Sequence, residues 1–108
     1  MTASRIRDLN DRFRRLRQGQ GRLFVTAGVN ARGPAFVAEA ICAVRSFEAF
    51  SADNDPHGEH DFGAVTVQGI RLFWKLDYFD PSLSLGSEDP ADEAKTCRVL
   101  TIMLAEEY

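Results

Sequence analysis

Hydrophobic residues recur every three or four positions in two early segments of the chain, the spacing of one helix face. The first segment, residues 4–18, has an apolar stripe of Ile6, Leu9, Phe13 and Leu16. The second runs from residue 34 to about residue 48, and its apolar face consists of Val37, Ala40, Ile41, Val44 and Phe47. A short β-type run at residues 23–26 lies between them. The pattern therefore predicts two amphipathic helices separated by a strand.

A strict alternation of apolar and polar residues follows later in the chain. Val65 and Val67 precede the turn pair Gln68-Gly69, and Leu72, Trp74, Leu76 and Tyr78 alternate after it. Two alternating runs around a two-residue turn predict a β-hairpin. The other face of its second strand carries Arg71, Phe73, Lys75, Asp77 and Phe79.

The last apolar run, residues 99–104, follows a helix-start signal in which Asp89 is the cap, Pro90 the first position and Asp92 the third. We therefore expect a terminal helix, buried against the sheet. Glu106 and Glu107 would disfavour its C-terminal end, so we expect them to pair with arginines of the first helix.

The elements together predict an α+β fold: a small antiparallel sheet of at least three strands, built on the β-hairpin, with helices packed on one side. The length of 108 residues suits a single domain, residues 1–108. Cys42 and Cys97 lie on predicted apolar helix faces, and we expect both to be buried thiols. The chain has no apolar run long enough for a membrane span or a signal peptide, so we expect a cytoplasmic protein with no membrane contact.

Charge is unevenly distributed along the chain, although the net charge is only −3. Residues 1–22 hold seven arginines against two acids, a net charge of +5, whereas residues 48–93 hold eleven acids against two bases, a net charge of −9. An acidic surface attracts cationic partners and repels phosphates. We therefore expect a protein partner with a basic surface, and we do not expect nucleic acid to bind.

A turn-rich loop at residues 51–63 contains both histidines and a cluster of acids within nine residues: Asp53, Asp55, His57, Glu59, His60 and Asp61. The start of this cluster matches a calcium loop, but its twelfth position is Ala64 where such loops need a bidentate Glu, so we reject calcium. Three interpretations stay open: a transition-metal site, a partner surface, and turn formation by side-chain bonds to nearby amides.

The candidate partner-binding set joins this loop to the polar face of the hairpin and to the loop that follows it. We expect no catalytic residue, no metal ligand and no cofactor. The set comprises Asp53, Asp55, His57, Glu59, His60, Asp61, Lys75, Asp77, Asp80 and Glu88.

Four stretches resemble a family of small bacterial proteins known only as a domain of unknown function. They are residues 53–63 (DNDPHGEHDFG), 73–80 (FWKLDYFD), 86–92 (GSEDPAD) and 98–105 (RVLTIMLA) with the closing Glu107-Tyr108. The resemblance covers essentially the whole chain and implies no activity. The family pattern has Tyr at the position of His57, so a metal site using His57 would not be a family property. The resemblance also implies a setting on mobile genetic elements.

Three functions follow as hypotheses. The first is a non-enzymatic protein-binding module, such as a mobile-element inhibitor of a host nucleic-acid-directed defence complex, acting through its acidic surface. The second is a small metal-dependent hydrolase or nuclease centred on residues 53–61. The third is a nucleic-acid-binding regulator that uses the arginine-rich first helix.

Overall fold

The computed structural model describes residues 2–108. The helices are α1 (Thr2–Leu16), α2 (Ala27–Asn30) and α3 (Pro34–Ser46). The strands are β1 (Gly21–Val25), β2 (Phe62–Val67), β3 (Ile70–Phe79) and β4 (Cys97–Leu104). Two 3₁₀ turns occupy Glu93–Lys95 and Ala105–Glu107. The two long helices and the first strand lie where the sequence pattern predicts them.

The four strands form one sheet in the order β1-β4-β3-β2, with the helices packed on one side. The β2–β3 hairpin is confirmed, and its turn residues Gln68 and Gly69 both have positive φ angles, 53° and 77°, as a type I′ turn requires. The predicted α+β class is likewise confirmed. The sheet is mostly antiparallel, because β1 alone runs parallel to its neighbour, β4.

The predicted terminal helix is wrong, because residues 97–104 form the central strand β4. Seven of its eight residues are buried, Thr101 being the exception. A strand covered on both faces carries an uninterrupted apolar run, which looks like a buried helix when only periodicity is considered. Asp89 does not begin a helix; its carboxylate accepts a bond of 3.1 Å from the amide of Ala91 in a local turn.

The predicted pairing of Glu107 with arginines is also wrong. Its carboxylate accepts hydrogen bonds from the hydroxyl of Thr26 at 2.6 Å, the amide of Leu104 at 2.8 Å and the amide of Gly28 at 3.1 Å. These bonds lower the pKa of Glu107, and the Thr26 contact contributes most. The carboxylate thus ties the end of the chain to the start of α2.

The core lies between the helices and one face of the sheet. Trp74, Leu72, Leu100 and Ile102 of the central strands pack against α1 and α3, and all four are at most 2% exposed. Helix α3 buries the side that carries Phe36, Ala40 and Val44. Cys97 is buried as expected, but Cys42 is exposed, because it lies two residues from Ala40 and therefore on the opposite side of α3. Within residues 2–108, every helix is too short or too polar to cross a lipid bilayer.

Candidate functional site

Two loops rich in acids lie at the open end of the β2–β3 hairpin. The first acidic loop, residues 51–61, leads into β2, and the second acidic loop, residues 80–92, leaves β3. Because β2 and β3 are antiparallel, the start of one lies beside the end of the other. The hairpin therefore places both loops at the same end of the molecule.

A fully buried asparagine in α1 links the first acidic loop to the sheet. The side-chain amide of Asn10 donates to the carbonyl of Glu59 at 3.0 Å and to the hydroxyl of Tyr78 at 2.8 Å. The Tyr78 hydroxyl in turn donates to the Glu59 carboxylate at 2.8 Å. Burial raises the pKa of Tyr78 well above its ordinary range, and the neighbouring Glu59 carboxylate adds to that rise. Tyr78 is thus a neutral donor that holds Glu59 in place.

A buried arginine in β4 extends this network to the second acidic loop. Arg98 donates through Nε to the Asn10 side chain and through Nη2 to the carbonyl of Pro90, each at 2.6 Å. Its guanidinium also lies over the Tyr78 ring at 5.4 Å. Burial lowers the pKa of Arg98. The hydrogen bonds to Asn10 and Pro90 offset part of the cost of burying its guanidinium. Asn10 and Arg98 thus connect Glu59 to Pro90, and with them the two acidic loops.

The His60 ring contacts three side chains. It stacks on Phe50 with centroids 3.7 Å apart and planes 2° from parallel. Its Nδ1 lies 2.9 Å from a carboxylate oxygen of Asp11, and its Nε2 lies 3.5 Å from a carboxylate oxygen of Asp55. The backbone of His60 has a φ of 56°, which is uncommon outside glycine. These contacts fix the shape of the first acidic loop.

Arg14 anchors the chain where the first acidic loop begins. Its guanidinium is buried and donates to the carbonyls of Val44 at 2.8 Å and Phe47 at 3.0 Å, which satisfies carbonyls left open at the end of α3. The same group lies 5.1 Å from the Trp74 ring. Burial lowers the pKa of Arg14, whereas its bond to Asp11 opposes that shift.

The remaining predicted site residues fall into three environments. Asp53, His57 and Glu88 are exposed and make no hydrogen bond or ion pair within residues 2–108. Asp80 shapes its own loop, accepting from the Ser82 hydroxyl at 2.9 Å and the Ser84 amide at 3.0 Å, and these bonds lower its pKa. Lys75 and Asp77 pair at 3.1 Å on the face of the sheet away from the helices.

Asp61 is half-buried in the first acidic loop, and its pKa is raised. Burial is the largest cause, and repulsion by the Glu59 and Asp55 carboxylates adds to it. An acid that is harder to ionise because other acids surround it indicates a negative local potential. Repulsion from Glu59 and Asp55 thus contributes to the raised pKa of Asp61, after burial.

Eight carboxylates lie in the two acidic loops, and those with hydrogen bonds accept them mainly from backbone amides and hydroxyls. They are Asp53, Asp55, Glu59, Asp61, Asp80, Glu88, Asp89 and Asp92. Within residues 2–108 none of them forms a salt bridge with Arg or Lys. Neutral donors leave a carboxylate its charge, so this end of the molecule can attract cations. In the described chain, no three His, Cys, Asp or Glu side chains converge as a metal site.

The arginines of α1 are used differently from the simple basic face that the sequence suggests. Arg14 is buried, Arg5 and Arg12 each lie 3.6 Å from Glu93, and Arg15 bonds Glu48 at 2.6 Å. The arginines of α1 thus pair with acids outside the two acidic loops: Glu48 precedes the first loop, and Glu93 directly follows the second. Most of the charge of these arginines is neutralised within the molecule.

Sequence reasoning missed the buried polar residues Asn10, Arg14 and Arg98. A signal existed for two of them: Asn10 lies four residues after Ile6 and Arg14 four after Asn10, so both extend the apolar stripe of α1. Arg98 lies on the same face of β4 as Leu100 and Ile102. This spacing is informative only once residues 97–104 are known to be a strand.

Of three comparisons with known proteins, one finds a match. No curated protein and no solved structure matches the chain. A family model described as a protein of unknown function (DUF3768) matches residues 25–107. That span begins at the last residue of β1 and includes both acidic loops, Tyr78 and Arg98. The chain therefore belongs to this family of proteins of unknown function, DUF3768.

Proposed function

We propose that this chain is a non-enzymatic protein-binding module and that its two acidic loops contact a basic surface of the partner. The observation that carries the proposal is that eight carboxylates lie in two loops at one end of the hairpin, and none has an Arg or Lys partner within residues 2–108. Charges of one sign on adjacent loops steer a partner of opposite charge and fix its orientation.

The rigid support beneath the loops favours binding over simple solubility. Asn10, Arg98 and Tyr78 hold Glu59 and Pro90 through bonds of 2.6 to 3.0 Å. A surface that is ordered before binding loses less conformational entropy when the partner arrives. Burying an asparagine and an arginine is a costly way to shape a loop that has no role.

The partner class that suits such a surface is a protein that itself handles nucleic acid, because its cationic groove accepts arrays of negative charge. The proposal extends to a host nucleic-acid-directed defence complex, which the chain would block as an inhibitor encoded on a mobile element. An acidic protein surface can occupy such a groove partly as a nucleic acid would.

Charge reversal in the loops tests the proposal. Asp53→Lys with Glu88→Lys changes two exposed acids that make no hydrogen bond or ion pair within residues 2–108, so the fold should be unaffected. The binding partner is first isolated on the wild-type chain from the native host and is then used in purified form. We expect its association with the double variant to be about tenfold slower at low salt, with a weaker salt dependence. Surface plasmon resonance at several salt concentrations measures both quantities.

The matched control is Arg7→Glu with Arg17→Glu, which reverses two charges in the basic segment of residues 1–22. Within residues 2–108, Arg7 forms an ion pair with its neighbour Asp8, and the Arg17 guanidinium lies over the Phe13 ring. The control should leave association unchanged or slightly faster. If the control loses binding and the loop variant keeps it, α1 is the contact surface and the proposal is wrong.

Asp61→Asn should stabilise the folded chain and weaken partner binding. The raised pKa of Asp61 means that its ionised form is disfavoured in the fold, so its cost is present at neutral pH and vanishes as the pH falls below about 4. Urea denaturation of wild type and variant at pH 7 and pH 3.5 measures this difference. A destabilised variant at pH 7, or equal gains at both pH values, would contradict the electrostatic interpretation.

A further inference from the structure

The face of the sheet that has no helix carries an unusual number of aromatic side chains. Phe24 is 50% exposed and Tyr108 is 74% exposed. Tyr108 meets Phe62 and Phe73 in a cluster whose ring centroids are 5.3 to 5.6 Å apart. Phe79 lies on the same face as Phe73, because the two residues are an even number of positions apart on β3. Phe24 is exposed and Phe62, Phe73 and Phe79 are partly exposed, so rings from three strands form a surface on which flat groups can stack.

The charge of this helix-free face is opposite to that of the acidic loops. Its strands carry Arg22, Arg71 and Lys75, and Asp77 is the single acid among their described side chains on this face. Asp77 is already paired with Lys75 at 3.1 Å. Arg22 and Arg71 make no salt bridge within residues 2–108, so two cations face solvent beside the rings.

A cavity of about 250 Å³ opens on this face between Phe24, Phe79, Leu83 and Val99. The strand register places Arg22 on one side of Val99 and Asp77 on the other. The cavity is smaller than the ~300–1,000 Å³ that encloses a drug-sized ligand. Its apolar lining suits one flat ring, and Arg22 lies next to Val99 in the strand register.

We propose that the helix-free face binds single-stranded nucleic acid. The Phe24–Phe79 cavity takes one base, the cluster of Phe62, Phe73 and Tyr108 offers a second stacking platform, and Arg22 and Arg71 bind phosphates. An open sheet whose aromatic side chains stack unpaired bases, flanked by basic residues, is a recurrent way to bind single strands. This activity is independent of the proposed contact through the acidic loops.

The observations favour this occupant over the other candidates. A duplex hides its base faces, so the aromatic surface would contribute nothing to binding it. A second copy of the chain docked face to face would bring together two faces that each carry more cations than acids, which is unfavourable. An apolar peptide would leave the two arginines without a partner. The net charge of the whole chain argues against nucleic acid, but the fold confines most unpaired acids to the loops.

Fluorescence anisotropy with labelled oligo(dT) and oligo(U) of 12 nucleotides tests the proposal on the full chain. We expect binding at 50 mM salt that is tighter than binding to a duplex of the same length. Phe24→Ala should weaken binding by about 5- to 160-fold, the usual loss for one stacked base. Arg22→Ala with Arg71→Ala should reduce the slope of log K against log salt by about 1.4, since each phosphate contact on a single strand contributes roughly 0.7.

Two matched variants serve as controls on α1. Leu16→Ala removes an exposed apolar side chain, and Arg7→Ala with Arg17→Ala removes two cations; both should bind like wild type. Circular dichroism and sedimentation accompany every variant. The proposal is overturned by absence of binding at 50 mM salt, by equal affinity for duplex, or by equal losses in the control variants. It is also overturned if the wild type is a dimer that Phe24→Ala dissociates, because the face is then covered by a second copy.

Discussion

Leu100→Ala will lower the free energy of unfolding by about 2–5 kcal/mol, the range for deleting a buried leucine side chain. Leu100 is 2% exposed and lies on β4, the strand that pairs with both β1 and β3. Its neighbours come from the helices and from both adjacent strands, so the cavity cannot close by the movement of one element. The loss is a large fraction of the 5–15 kcal/mol that stabilises an ordinary domain.

Chemical denaturation followed by circular dichroism measures this loss. Leu85→Ala is the matched control, because Leu85 is 72% exposed and its truncation should change stability by less than about 0.5 kcal/mol. A loss below about 1 kcal/mol in Leu100→Ala would show that β4 is not the centre of the core. The same result would contradict the arrangement that places Arg98 beneath the acidic loops.

Local patterns predicted the parts of the fold that depend on local contacts. The stripe of Ile6, Leu9 and Phe13 and the alternation around Gln68-Gly69 each specify an element by its own period. The strand β4 was mistaken for a helix because its burial on two faces removes the alternation. Its parallel pairing with β1 joins residues more than seventy positions apart, and no local spacing encodes such a contact.

The candidate site, like the fold, could be predicted from the sequence only where it depends on local features. The density of acids in residues 53–61 is visible in the sequence, and so is their place in a turn-rich loop. The sequence does not show that Asp55 and Glu59 bond internally whereas Asp53 and Glu88 face solvent. That distinction depends on His60 and Tyr78 meeting α1, a contact between segments about fifty to seventy residues apart. It also decides which acids can be reversed without damaging the fold.

The separation of charge along the sequence has two consequences in the fold. Part of it disappears, because Arg12 and Arg15 of α1 pair with Glu93 and Glu48. Among residues 2–108, the charges without an ion-pair partner include the acids of the two loops and, on the helix-free face, Arg22 and Arg71. A net charge averaged over the chain therefore describes neither surface, and each needs its own binding experiment.

Asn10→Leu will destabilise the folded chain by about 2–4 kcal/mol, although leucine is similar in size and apolar. Asn10 is fully buried and makes three hydrogen bonds, to Arg98, Tyr78 and the carbonyl of Glu59. Its loss leaves the Arg98 cation buried without one of its acceptors, which costs more than an unpaired neutral group. Urea denaturation at pH 7 measures the loss, and the first acidic loop should become more susceptible to limited proteolysis.

A double-mutant cycle with Arg98→Met separates loss of the hydrogen-bond network from simple misfit of the leucine. Methionine keeps an apolar stem and removes the buried charge, so the double variant has no stranded cation. We expect the double variant to be at least about 1 kcal/mol more stable than the sum of the two single losses predicts. Losses that add within about 0.5 kcal/mol would mean that Asn10 and Arg98 stabilise the fold separately. The acidic loops would then lack the shared support on which their proposed role as one binding surface depends.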